Sequence, residues 1–200
     1  MLFFDLDGTL VDSSGIWLQI DLDFTARRGL AHTQEYHDFV IHSTAPVAAQ
    51  FTKDYYHLPE SADEIIAEWS AQALEEYTYR IEAKPHVHAY LEQCRRQGEP
   101  MAVLTSSAPE LCRATLQKNG LASYFSDLFF AQEMGMEKRE AALFRAAAQQ
   151  CSAAPEECTL FDDSPVACRG AKRPASASWV CSIPFLRKTK MRCAVCAIPT

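Results

Sequence analysis

A chain of 200 residues with a net charge of −7, 48% hydrophobic and 22% charged, has the composition of an ordinary globular protein and enough material for one α/β domain plus a modest insertion. The acidic balance argues against nucleic acid as a partner, since such binders rest on clustered Lys and Arg. No basic and apolar leader opens the chain and no uncharged apolar run is long enough to span a bilayer, so no membrane association is expected, a cytoplasmic location is, and the eight cysteines are expected as reduced thiols.

The first stretch reads MLFFDLDGTLVDS, Met1 to Ser13. Leu2, Phe3 and Phe4 predict a buried strand, and Gly8 and Thr9 break it just after Asp5 and Asp7. Carboxylates two apart on a strand share a face, so both can enter one site, where two like charges need a cation between them or a shared proton. Helices are predicted over Ile16 to Gly29, Thr33 to His42 and Ala45 to Tyr56. Ser61 and Glu64 form a capping box ahead of Ile65, Ile66, Trp69 and Leu74, which starts a fourth helix. The region from about 15 to 80 thus contains helices and no strand, and reads as an insertion. Its aromatic residues, among them Trp17, Phe24, Tyr36 and Trp69, are expected to form its core.

Beyond Pro85 the pattern alternates. A helix over His86 to Gln97 leads to a strand over Met101 to Leu104 that ends in Thr105, Ser106 and Ser107. A helix over Pro109 to Asn119, a strand over Leu128 to Ala131 and a helix over Lys138 to Gln150 follow, and the strand Thr159 to Phe161 ends in Asp162, Asp163 and Ser164. Strands alternating with helices predict a doubly wound parallel sheet, in which ligands bind beyond the carboxyl ends of the strands. Asp5, Asp7, Thr105, Asp162 and Asp163 all fall at such ends. His86 and His88 lack neighbours at metal-ligand spacing and are read as surface residues.

In this order and spacing DLDGTLVDS, the strand ending at Thr105, Lys138 and LFDDS resemble the four motifs of haloacid dehalogenase superfamily phosphohydrolases, of the phosphoglycolate phosphatase and beta-phosphoglucomutase type. The resemblance implies an α/β Rossmann-like core formed by residues 1–14 and 82–172, with residues 15–81 as an inserted helical cap. It further implies Asp5 as the nucleophile that forms an aspartyl-phosphate, and Asp7 as the general acid and then base. Thr105 and Ser106 would bind the phosphoryl group together with Lys138, which supplies fixed positive charge. Mg²⁺ would be held by Asp5, the Asp7 backbone carbonyl and Asp163, while Asp162 orients Lys138 or the water around the metal. One departure stands out: the family's Lys-Pro-x-Pro is replaced by Lys138-Arg139-Glu140-Ala141.

The expected activity is Mg²⁺-dependent hydrolysis of a small phosphate ester, with no expectation about oligomeric state. A sugar phosphomutase of the same fold uses the same nucleophile and acid, and a truncated inactive product is a third reading. A receiver-like signalling module gathers similar residues in another order and fits poorly. After Lys172 the sequence turns basic and acid-free, so residues 173–200 read as an atypical tail, either poorly ordered or frameshifted. Codons permitted for Lys172 onward, read one base over, can encode AAGIRVVGVLDPFFAENEDEMRRL, with the Gly, strand and acidic helix the resemblance requires. Within the tail, Trp179 to Ile183 could pair at the sheet edge, and Cys193 and Cys196 form a C-x-x-C pair without partners for zinc.

Overall fold

A computed structural model describes residues 1–40 and 43–171 together with the backbone of 180–182, so the C-x-x-C pair and most of the basic tail lie outside the described residues. The chain divides into two compact units, Met1–Ser14 with Ile81–Thr200, and Gly15–Arg80.

The first unit is built on a parallel five-stranded sheet in the order β3-β2-β1-β4-β5, with β1 Leu2–Phe4, β2 Met101–Thr105, β3 Asp127–Phe130, β4 Thr159–Phe161 and β5 Val180–Ser182. The predicted α/β doubly wound class is the one observed, and Val180–Ser182 takes the edge next to β4. Side chains alternate across the central strand, which decides what covers each face. Phe3 points into a core shared with Leu104 and Leu160, where Leu143, Phe144 and Ala147 of α7 (Ala141–Gln150) and Ala167 of α8 (Pro165–Ala171) complete the packing. Phe4 points the other way and stacks on Phe161 with ring centroids 4.5 Å apart, against Tyr90 of α5 (Val87–Arg96). Both faces are therefore dry, and the ladder's hydrogen bonds stay shielded from water. Helix α6 (Pro109–Lys118) follows β2.

Among the described residues the second unit contains four helices, α1 Ile16–Arg27, α2 Gln34–Val40, α3 Ala45–Tyr56 and α4 Ala62–Tyr79. The predicted capping box is present at α4: the Ser61 hydroxyl accepts from the Glu64 N–H at 3.2 Å, and the Glu64 carboxylate accepts from the Ser61 N–H at 2.7 Å. Such a cap is worth about 1 kcal/mol, and here it fixes where the longest helix begins. Phe24 of α1 meets Trp69 of α4 edge to face at 5.7 Å, and the Arg28 guanidinium covers the other part of Phe24 while pairing with Glu60 and Glu68. The predicted end of α2 at His42 lies outside the described residues, and α2 is described to Val40.

Two expectations are corrected. Lys138 does not begin a helix: Glu140 is extended (φ −99°, ψ 121°) and α7 starts at Ala141, because Glu140 turns back to accept the Glu137 N–H at 2.9 Å and Lys138 is drawn toward carboxylates. Cys94, Cys112, Cys151 and Cys158 are free thiols as expected, whereas Cys168 is disulfide-bonded. No helix among the described residues is long and apolar enough to cross a membrane.

Candidate active site

Strand register sets the site. Phe4 is level with Val103 of β2 on one side and Phe161 of β4 on the other, so Asp5, Thr105, Asp162 and Asp163 all emerge within two residues of one another at the carboxyl edge. Asp5 is tied there by its own backbone N–H, which donates to the Phe161 carbonyl at 2.8 Å. Asp5 and Asp162 are buried, and one side-chain oxygen each from Asp5, Asp162 and Asp163 lie within 4.8 Å of one another. Three carboxylates this close are unfavourable without compensating charge.

Lys138 supplies part of that compensation. Its Nζ donates to Asp5 Oδ1 at 2.5 Å and to Asp162 Oδ2 at 2.9 Å, with 11% of its side chain exposed. Burial alone lowers the Lys138 pKa, but the Asp5 and Asp162 carboxylates outweigh it and hold the ammonium charged. Asp162 Oδ1 accepts the Ser164 N–H at 2.8 Å, so both oxygens of Asp162 are occupied by protein donors, an arrangement suited to fixing Lys138 rather than to ligating a cation. For Asp5 the balance runs the other way. Burial, followed by the neighbouring Asp162 and Asp7 charges, pushes its pKa up to about 7 against the pull of Lys138. Asp163 is also raised, first by burial and then by Asp162.

Gly8 lets Asp163 approach. It sits at φ +72°, and a Cβ there would lie 2.0 Å from Asp163 Oδ2, so only glycine leaves the carboxylate its place beside the Asp5 turn. The turn is closed by the Gly8 N–H donating to the Val11 carbonyl at 3.1 Å and is anchored by Lys84, whose Nζ donates to the Gly8 carbonyl at 2.5 Å. Asp7 pairs with Val11 in the same turn, and its charge acts on Asp5. Thr105 is buried at the end of β2, where its Oγ1 accepts the Ser107 N–H at 3.0 Å, and Ser106 between them is exposed. Asp5, Asp162, Asp163 and Lys138 thus form one cluster, with Thr105 at the same edge on the neighbouring strand.

Two contributors gave no signal in the sequence. Lys84 lies far from every motif, and only the antiparallel bridge between Val11 and Ala83 brings it to the turn. Gly170 of α8 packs against the Lys138 segment so closely that a Cβ would meet the Lys138 carbonyl at 2.2 Å and the Arg139 carbonyl carbon at 3.0 Å. Gly170→Ala is expected to destabilise the fold by about 1–3 kcal/mol through overpacking. It should also displace Lys138, so urea denaturation and turnover should both report the change; a variant of unaltered stability would refute this close approach.

The sequence pattern of the haloacid dehalogenase-like hydrolases matches residues 2–177. A phosphoserine phosphatase of Thermus thermophilus is 36% identical over 107 residues, 54% of this chain and 41% of that protein, so the chain matches less than half of that relative's length. Hexitol phosphatase A of Escherichia coli is 30% identical over 167 residues, 81% of this chain and 73% of that one. The crystal structure of a Thermotoga maritima protein assigned as a beta-phosphoglucomutase superposes with a TM-score of 0.76 at 18% identity, covering 86% of this chain and 79% of that one.

Proposed function

The chain belongs to the haloacid dehalogenase-like hydrolase family, and we propose that within it the protein is a Mg²⁺-dependent phosphatase that hydrolyses a small phosphorylated metabolite through an aspartyl-phosphate on Asp5. The observation that carries this reading is the contact of Lys138 with both Asp5 and Asp162 while a carboxylate oxygen of Asp163 lies within 4.8 Å of theirs. In this reading residues 1–14 and 82–172 are the catalytic core and the helical segment 15–81 is its cap, setting the substrate and excluding water.

The donor set fits a hard cation. Asp5 and Asp163 present carboxylate oxygens, the missing Cβ of Gly8 leaves Asp163 its space, and the Asp7 carbonyl belongs to the same turn. Bound there, Mg²⁺ would offset the anionic charge of the site and of the phosphate ester. Asp5 attacks phosphorus as the carboxylate and releases the alcohol, which takes a proton from Asp7; Asp7 then removes a proton from the water that opens the acyl-phosphate. Lys138 neutralises Asp5 in the resting site and a phosphoryl oxygen during transfer, held in place by Asp162. Thr105 and Ser106 donate to the phosphoryl group from the end of β2.

The relatives named above act on quite different esters, phosphoserine and hexitol phosphates, so the substrate is sought with a panel. Phosphate release from phosphoserine, hexitol phosphates, hexose phosphates and phosphoglycolate should be measured with Mg²⁺ and after chelation. Turnover of at least one ester that falls to background on chelation is the expected result. Interconversion of sugar phosphates without phosphate release would assign a phosphomutase instead, and a folded chain inert toward the whole panel would count against both.

A further inference from the structure

We propose that Asp21, His32 and His37 form a binding site for one divalent transition-metal ion of the zinc class, built entirely within the Gly15–Arg80 unit and independent of the carboxylate cluster at the sheet edge. Three segments converge to make it: Asp21 comes from α1, His32 from the loop after α1, and His37 from α2. One ligating atom from each lies within 4.8 Å of the other two. Two imidazoles and one carboxylate are the donor set that favours zinc, cobalt or nickel over magnesium, which takes oxygen ligands alone.

A plain ion pair accounts for part of the cluster and leaves the rest unexplained. His32 Nε2 lies 2.7 Å from Asp21 Oδ2, and that contact would stand without a third residue. His37 is nevertheless held beside them, its ring centroid 5.5 Å from that of His32, and the His37 ring makes no hydrogen bond among the described residues. Two imidazoles beside one buried carboxylate repel each other if both are protonated, whereas a bound cation uses the lone pairs of both.

The surroundings have the organisation of a metal site. The Tyr36 hydroxyl donates to Asp21 Oδ1 at 2.7 Å, leaving Oδ2 directed toward His32, and the Tyr36 ring stands edge-on to His32 at 5.5 Å. An outer donor of this kind orients a ligand carboxylate. Asp21 and His37 also line a cavity of about 610 Å³ whose walls include Trp17, Leu18, Val40 and Trp69. With three protein ligands, two of them on the cavity wall, a coordination position is left for water or for an anionic group on a small molecule. The buried Trp69 indole N–H, without an acceptor among the described residues, adds a donor on the cavity's lining residues.

The test uses Co²⁺ as probe on the full chain, stripped of metal and held in excess Mg²⁺ to occupy the carboxylate cluster. Visible ligand-field absorption should saturate at one equivalent, in the wild type and equally in Asp5→Asn, and Zn²⁺ should abolish it. His37→Ala and His32→Gln should each weaken Co²⁺ binding by roughly a hundredfold or more, and Tyr36→Phe by roughly tenfold. Circular dichroism checks that each variant keeps its helices, and His37, being partly exposed, is expected to be replaced without unfolding. Absorption that survives in both histidine variants, that disappears in Asp5→Asn, or that never develops would overturn the proposal.

Discussion

Asp5→Asn should abolish turnover and, in metal-free buffer, make the protein more stable at neutral and alkaline pH. The loss of activity follows from removing the residue proposed as nucleophile, since such a loss costs roughly 10⁴-fold or more in enzymes that form a covalent intermediate. The gain in stability follows from burial. The Asp5 carboxyl is pushed from 3.8 up to about 7, so the folded chain keeps the proton while the unfolded chain has already released it. Wild-type stability therefore falls as pH rises from about 4 and reaches its full deficit above about 7. The size of that deficit is on the order of a few kcal/mol, taking 1.36 kcal/mol per unit as the conversion, and the attraction of Lys138 is already contained in the net shift. An amide of the same shape carries no such deficit.

Thermal unfolding of the two proteins should give midpoints whose separation is constant below pH 4, widens toward pH 7 and levels off beyond it. Adding Mg²⁺ should narrow the separation by raising the wild type, since a cation beside Asp5 offsets the cost of its ionisation. If the midpoints stay parallel across pH, Asp5 is not held against its charge in the folded state. Activity that survives Asp5→Asn would remove the residue from the nucleophile's role whatever the stability curves show.

The parts of this arrangement that lie along one strand or at one strand end were readable from the chain itself. Phe3 and Phe4 had to face opposite sides of a buried strand, and the polar residues placed at the ends of three such strands had to meet at one edge of a parallel sheet. The Ser61 and Glu64 cap was equally legible, because both partners lie within one helical turn. Contacts made across the fold were not. Lys138 reads as part of α7 because Glu140 and Ala141 are good helix formers, yet its ion pairs with Asp5 and Asp162 hold it in the turn before the helix. Gly170 looks like a weak point in a short helix, and only the 2.2 Å approach of the Lys138 carbonyl shows why a side chain is excluded. Asp21, His32 and His37 have no recognisable spacing, since the turn after α1 rather than a helical period brings them together.

Gly8→Ala should cost activity far more than stability. The residue lies at φ +72°, where an alanine costs about 1–2 kcal/mol in backbone strain alone. Its Cβ would also stand 2.0 Å from Asp163 Oδ2 and 2.6 Å from Asp163 Cγ, an overlap that the Asp163 side chain relieves by turning out toward solvent, since this residue is exposed. That escape limits the damage to the fold, but it takes one carboxylate out of the cluster with Asp5 and Asp162. A displacement of about 1 Å in a positioned group costs on the order of a hundredfold in rate, so turnover should fall by at least that much, and under the proposed mechanism half-maximal turnover should need more Mg²⁺. The double variant Gly8→Ala/Asp163→Ala separates the two causes. With the carboxylate gone, the overlap is gone as well, and urea denaturation should show a combined cost smaller than the sum of the single variants, the remainder being the backbone strain. Activity should not return. Strictly additive costs would mean that Gly8 is required for its backbone alone, and recovery of turnover in the double variant would show that Asp163 is dispensable to the site.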